Sequence, residues 1–283
     1  MSDIMTEFSV PSILQGMESN LQELGHLWAR IIGATLHEDA ESSWFISGLP
    51  FELANSVFRA NFVADERDSD VEKLIERLMA YRTPLSWFIG PFTRPAHLGQ
   101  RLLAHGWQLD DNAPGMALDL LTLDENTPVS STLRIEQVSN GEMLEKWIRV
   151  VVAGSEFPES VLNFVLGLYH KHGYMSSPTV RCYLGLLDGE PVTSSLLFLA
   201  GGVAGIYDVA TLPHARGQGF GSAITLAPLL DARNLGYRFG ILQSSHMGLN
   251  VYRRLGFQTY CTFSLYFWPG ENKAAQQEQF SQP

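Results

Sequence analysis

The chain has 283 residues, 45% of them apolar and 17% charged, with a net charge of -11; that is the composition of a globular protein of one large or two ordinary domains and excludes a disordered chain. The acidity argues against general nucleic-acid binding, which needs a cationic surface, and two cysteines, Cys182 and Cys261, are too few for a disulfide framework or a structural zinc site, so no metal is expected. No stretch reaches the roughly 18 apolar residues of a membrane span, and the opening "MSDIMTEFSV" lacks the basic head and apolar core of a secretory signal, so the expected location is cytoplasmic.

Along the chain, apolar residues at three-to-four spacing predict a helix from Ile13 to Leu36. Two aromatic and β-branched strands follow, "SSWFISG" and "NSVFRANFV", then a helix over "DVEKLIERLMAY", a strand at "SWFIG", a short helix over "LGQRLLAH" ending at Gly106, and a strand or strand pair in "WQLDDNAPGMALDL". The polar, aperiodic "LDENTPVSS", Leu123 to Ser131, reads as a linker. After it come a strand ("TLRIEQV"), two helices ("EMLEKWIRVVV" and "SVLNFVLGLYHKH") and a hairpin turning at Asp188-Gly189. A strand ("GIYDVATL"), a glycine-rich loop and a helix with Pro228 inside it lead to a strand ("RFGILQ"), a helix ("MGLNVYRRL") and a last strand ("TYCTFSLYFW"), before a polar tail from residue 271. "SWFIG...HLGQRLLAHGWQ" and "GILQ...MGLNVYRRLGFQ" share one order of elements, aligning Gly106 with Gly256 and Trp107 with Phe257, as a duplication would.

The loop "HARGQGFGSA" invites three phosphate-binding readings. A P-loop needs a lysine after its last glycine, and this one has Ser222 and Ala223. A dinucleotide fold needs G-x-G-x-x-G and an acidic residue about 20 positions on; Gly217, Gly219 and Gly221 have another spacing, and Ala232 to Gly270 contains no carboxylate. The third reading is a run of backbone N-H groups opening into a helix N-terminus, a cradle for a pyrophosphate. Between Val209 and Gly270 five arginines (216, 233, 238, 253 and 254) face the single Asp231, a locally cationic stretch of an acidic chain.

Arg216-Gly217-Gln218-Gly219-Phe220-Gly221, with "VATLP" before it and "VYRRLGF" some 30 residues after, resembles the Q/R-x-x-G-x-G/A motif of the GNAT N-acetyltransferase superfamily. The resemblance covers Leu133 to Trp268, and the first half looks like the degenerate domain of tandem members. It implies two α/β domains, 1-128 and 129-270, each a mixed, mostly antiparallel sheet flanked by helices, and a tail 271-283. By the same resemblance, Val209, Ala210 and Thr211 run along the pantetheine arm of acetyl-CoA, and Arg216, Gly217, Gln218, Gly219, Phe220, Gly221 and Ser222 surround its phosphates. Tyr252 matches the tyrosine that protonates the leaving thiolate, and Ser245 stands where many members have a cofactor-contacting asparagine.

Acyl transfer to an amine needs a neutral nucleophile, an oxyanion donor and a proton for sulfur. Asp208, charged within "GIYDVATL", is the candidate base; a solvated aspartate is an equal reading. Glu156, Glu159, His170, His172 and His214 read more simply as solvated or helix-end residues. In the first half, "ADERDSDVEK" would put Asp65, Glu66, Asp68, Asp70 and Glu72 where the second half has its glycine loop, and Leu102 at the position of Tyr252, so only the second domain is expected to bind cofactor. The sequence reading is therefore an acetyl-CoA-dependent N-acyltransferase acting on a small-molecule or peptide amine, as monomer or homodimer, without nucleic acid or membrane. The alternative is a non-catalytic acyl-CoA-binding or regulatory module.

Overall fold

The computed structural model describes residues 4–62, 68–124, 132–172 and 177–271. The expected linker and acidic loop therefore lie in part, and the polar tail almost wholly, outside the described residues. The chain forms two compact units. One comprises Met1–Asn20 and Pro114–Tyr260, the other Leu21–Ala113 and Cys261–Pro283. These are not the sequential halves 1-128 and 129-270.

The reason lies in two long strands. Each arm of the repeat runs strand, helix, strand: β4 (Leu85–Ile89), α3 (Leu98–Ala104) and β5 (Gln108–Asp119) in the first, β10 (Phe239–Gln243), α7 (Leu249–Arg254) and β11 (Gln258–Trp268) in the second. The end of β5 pairs antiparallel with β10, Asp119 opposite Phe239, and the end of β11 pairs antiparallel with β4, Trp268 opposite Leu85. Each repeat thus gives its last strand to the other's sheet. The internal repeat is otherwise close in detail. Both helices end on a left-handed glycine, Gly106 (φ 80°) and Gly256 (φ 98°). The following N-H returns to the same turn, Trp107 to the Leu102 carbonyl and Phe257 to the Tyr252 carbonyl, each at 3.0 Å.

In the second unit named above, β1 (Thr35–Glu38), β2 (Ser42–Ile46), β3 (Asn55–Ala60), β4 and β11 lie in that order. They cover a core of Trp44, Ile75, Trp87, Leu102 and Trp107 with α2 (Asp68–Met79) and α3. The helix α1 (Val10–Ile32) starts before Ile13 and ends before the expected Leu36, because Gly33 takes φ 69° and closes it before β1.

The other unit carries the glycine loop. Its strands run β5, β10, β9 (Val203–Thr211), β8 (Glu190–Ala200), β7 (Val180–Leu187) and β6 (Leu133–Gln137), all antiparallel except β9 with β10. The β7–β8 hairpin turns at Asp188 and Gly189, both left-handed, as an Asp-Gly turn demands. The helices of this unit are α4 (Gly141–Gly154), α5 (Glu159–His172), α6 (Phe220–Asn234) and α7. Leu197, Ile206, Ile224, Leu229, Leu242 and Tyr252 lie in its main core. The start of α1 also belongs here: buried Asn20 donates to the carbonyls of Phe198 and Ala200 and accepts from the Tyr207 hydroxyl. Among the described residues no helix is long and apolar enough to cross a membrane.

Candidate active site

The site is built around a parting of strands. The parallel ladder of β9 with β10 is made at Ala204–Gly205 and Gly240–Ile241, whereas β9 continues to Thr211. Beyond Gly205 the β10-facing edge of β9 has no strand partner among the described residues. Such an edge offers its backbone groups to an extended ligand. Val209, Ala210 and Thr211 lie on this stretch, with Ala210 buried.

A bulge shapes the same stretch. Ser194 faces Ala210 and Leu196 faces Tyr207, so Asp208 and Val209 together oppose Ser195. Asp208 takes φ 50°, a left-handed conformation costly for a side chain. Its carbonyl accepts from Ser194 Oγ at 3.0 Å, and the Ala210 carbonyl accepts from Thr193 Oγ1 at 2.7 Å. Ser195 Oγ donates to the Ile224 carbonyl of α6 at 2.7 Å, while Trp147 Nε1 donates to the Ser195 carbonyl at 3.0 Å. These three hydroxyl residues, all fully buried, hold the bulge and escaped the sequence reading. Their signal was a polar triplet, "TSS", inside the apolar run of β8. Asp208 keeps solvent-exposed surface, yet the protein mass around it pushes its carboxyl up to about 6. Water at the open surface works against that shift.

Past Thr211 the chain makes one tight turn over Pro213–Ala215 and enters the loop. Gly217 (φ 77°) and Gly219 (φ 81°) are left-handed, and a Cβ on either would meet nothing within 4 Å, so the glycines serve the backbone path and face open space. Gly219 begins α6, whose first internal bond is from the Ala223 N-H to the Gly219 carbonyl. The N-H groups of Phe220, Gly221 and Ser222 are thus not taken by the helix. Phe220, 1% exposed, anchors the loop against Val192 and Ala215. Gln218 is exposed, as is His214, a turn residue.

Arg216 departs from expectation. Its guanidinium is occupied by protein: Nε donates to the Thr211 carbonyl (3.1 Å), Nη1 to Glu156 Oε1 (2.8 Å) and Nη2 to the Gly154 carbonyl (2.9 Å). The charge assigned to a phosphate is spent on the end of α4. Arg238 likewise pairs with Asp119, and Arg233 donates to the Leu123 carbonyl; Arg253 and Arg254 are exposed on α7. Asp231 pairs with Arg181 and accepts from the Tyr183 hydroxyl, which leaves the local charge balance positive.

Tyr252 lies on α7, the helix that follows β10. It is 7% exposed, meets the Phe257 ring edge-on at 5.9 Å, and desolvation pushes its phenol up to about 12. That keeps it neutral and a donor, but a weaker acid than the match to a thiol assumed from its ordinary value. Gly248 makes room for it, since a Cβ there would come within 2.7 Å of the ring. Ser245 is exposed in the turn that leads into α7: its Oγ accepts from the Gly248 N-H at 3.1 Å and its carbonyl from the Leu249 N-H at 3.2 Å. Glu159 and His170 are exposed on α5, and the side chain of His172 lies outside the described residues.

Residues 153–257 match the acetyltransferase (GNAT) family. Among solved structures, a GCN5-related N-acetyltransferase from Kribbella flavida is 17% identical, with 90% of this chain and 98% of that one covered at a TM-score of 0.66. A second from Sphaerobacter thermophilus is 15% identical, covering 94% of each chain at 0.59. A tandem GNAT protein from the clavulanic acid biosynthesis pathway is 16% identical, with 93% and 96% covered at 0.60. At these identities the likeness is one of fold, and it spans both units. No curated protein sequence matches the chain.

Proposed function

We propose, starting from a chain that belongs to the GNAT acetyltransferase superfamily, that it transfers an acetyl group from acetyl-CoA directly to a primary amine. The observation that carries this reading is the β9 edge, which beyond Gly205 has no strand partner among the described residues and runs straight into the N-H groups of the glycine loop and the start of α6. An extended arm ending in a pyrophosphate fits that sequence of backbone groups. Val209 to Thr211 would pair with the amides of the pantetheine, and the N-H groups from Gly217 to Ser222 would hold the phosphates.

The chemistry then falls to groups at the parting. Tyr252, kept neutral by burial, donates a hydrogen bond to sulfur as negative charge grows there, so the acid of the sequence reading becomes a donor first. Asp208, with its raised pKa, is ionised at neutral pH and takes the proton of the attacking amine, directly or through water. The bulge aims that carboxylate, and the hydroxyls of Thr193 and Ser194 hold the bulge. Ser245 shapes the start of α7 and so the place of Tyr252. The acceptor is a small-molecule or peptide amine.

Thiol release from acetyl-CoA, followed across a panel of amines, tests the reading. Amine-dependent release is expected. CoA binding without release for any amine would instead mark a non-catalytic acyl-CoA-binding module.

A further inference from the structure

Glu156 stands where a helix ordinarily ends on glycine. The end of α4 is a full Schellman cap: the Glu156 N-H bonds the Ala153 carbonyl at 3.2 Å, the Phe157 N-H bonds the Val152 carbonyl at 3.0 Å, and Glu156 itself takes φ 59°. That conformation costs a side-chain residue free energy that glycine avoids. The Glu156 carboxylate reaches Arg216 at 2.8 Å, and the same guanidinium holds the Gly154 carbonyl of the cap and the Thr211 carbonyl at the end of β9. The two backbones are pressed together at this point, because a Cβ on Gly154 would lie 2.9 Å from the Ala210 Cβ and 3.1 Å from the Thr211 nitrogen. An ion pair as exposed as this one contributes little by itself. Its role is positional.

We infer that Arg216 and Glu156 form a latch that fixes the glycine loop by tying its first residue to the α4–α5 turn, and that Arg216 makes no phosphate contact. This rests on the loop being a CoA cradle. Both are positioning residues, and the latch makes the cradle and the α4–α5 turn one mechanical piece. A shift at the turn is therefore felt at the phosphates.

Calorimetric titration of CoA into the full chain, with Arg216→Gln, Glu156→Gly and the double variant at several salt concentrations, tests this. Each single change is expected to weaken CoA binding about tenfold, the double change no further, as for partners in one device. The salt dependence should stay that of the unaltered chain, since no phosphate contact is lost. Glu156→Gly should melt at the same temperature or higher, because glycine suits the cap; this variant decides the matter if Arg216→Gln does not fold. A flatter salt dependence in Arg216→Gln, with Glu156→Gly binding normally, would make Arg216 a phosphate ligand and overturn the latch. Unchanged binding in Glu156→Gly would overturn it too. If the unaltered chain binds no CoA, the cofactor reading itself fails and the latch goes with it.

Discussion

Asp208 and Tyr252 carry opposite demands: Tyr252 is buried, while Asp208 keeps exposed surface with protein packed around it. A base must be ionised at working pH, and a carboxyl raised to about 6 is ionised at 7 while holding a proton more strongly than an ordinary aspartate. The rate constant kcat/KM should therefore fall about tenfold per pH unit below 6, and Asp208→Asn should lose most activity together with that acid limb. For stability the sign is reversed. The folded chain binds the Asp208 proton more readily than the unfolded chain, so this group adds stability as pH falls from about 6 towards about 4 and subtracts it at 7. Asp208→Asn should melt no lower than the unaltered protein at pH 7, a combination that separates a functional carboxylate from a structural one. Tyr252→Phe tests the donor: loss of one hydrogen bond to a charge growing on sulfur should lower kcat about tenfold to hundredfold and leave CoA affinity nearly unchanged. Full activity in that variant would remove Tyr252 from the chemistry.

The bulged β9 depends on its neighbour β8. Three hydroxyls inside an otherwise apolar strand are worth their burial only because each satisfies a carbonyl: Thr193 that of Ala210, Ser194 that of Asp208, Ser195 that of Ile224. Ser194→Ala should cost about 1–3 kcal/mol of unfolding free energy, measured by denaturant titration, because it orphans a carbonyl in a strained turn of chain. It should also raise KM for acetyl-CoA. Here lies the boundary of what was legible beforehand. Periodicity and glycine placement located the hairpin at Asp188-Gly189, the helix after the loop, and the repeat down to its matching caps. The bulge was not legible, because register depends on a partner strand that one strand's pattern does not name. Nor was the employment of Arg216: a charge in a sequence has no direction, and its partners Glu156 and Gly154 sit 60 and 62 residues away.

The exchange of last strands governs how the whole chain can be cut. The polar stretch before Ser131 predicted a clean division into 1-128 and 129-270. Compactness follows pairing instead, and the pairing crosses that division twice, through β5 and β11. The unit that carries the glycine loop also takes its first segment from the beginning of the chain. Asn20 fills space left by Gly205, where a Cβ would run into its carboxamide, and closes the carbonyls of Phe198 and Ala200 and the hydroxyl of Tyr207, one residue before Asp208. A fragment of residues 129–283 would keep the glycine loop and Tyr252 yet lose β5 beside β10, Asn20 against β8 and β9, and β4 beside the outer part of β11. It would expose two strand edges and leave buried polar groups without partners. Such a fragment should be unfolded or aggregated by circular dichroism and size-exclusion chromatography, and should bind no CoA. In the full chain, Asn20→Leu should lower the unfolding free energy by about 2–4 kcal/mol, since three polar groups lose their partner at once. A fragment 129–283 that folds and binds CoA as the full chain does would mean that the exchanged strands are dispensable, and that the unit's integrity rests on its helices and the β6–β10 sheet alone.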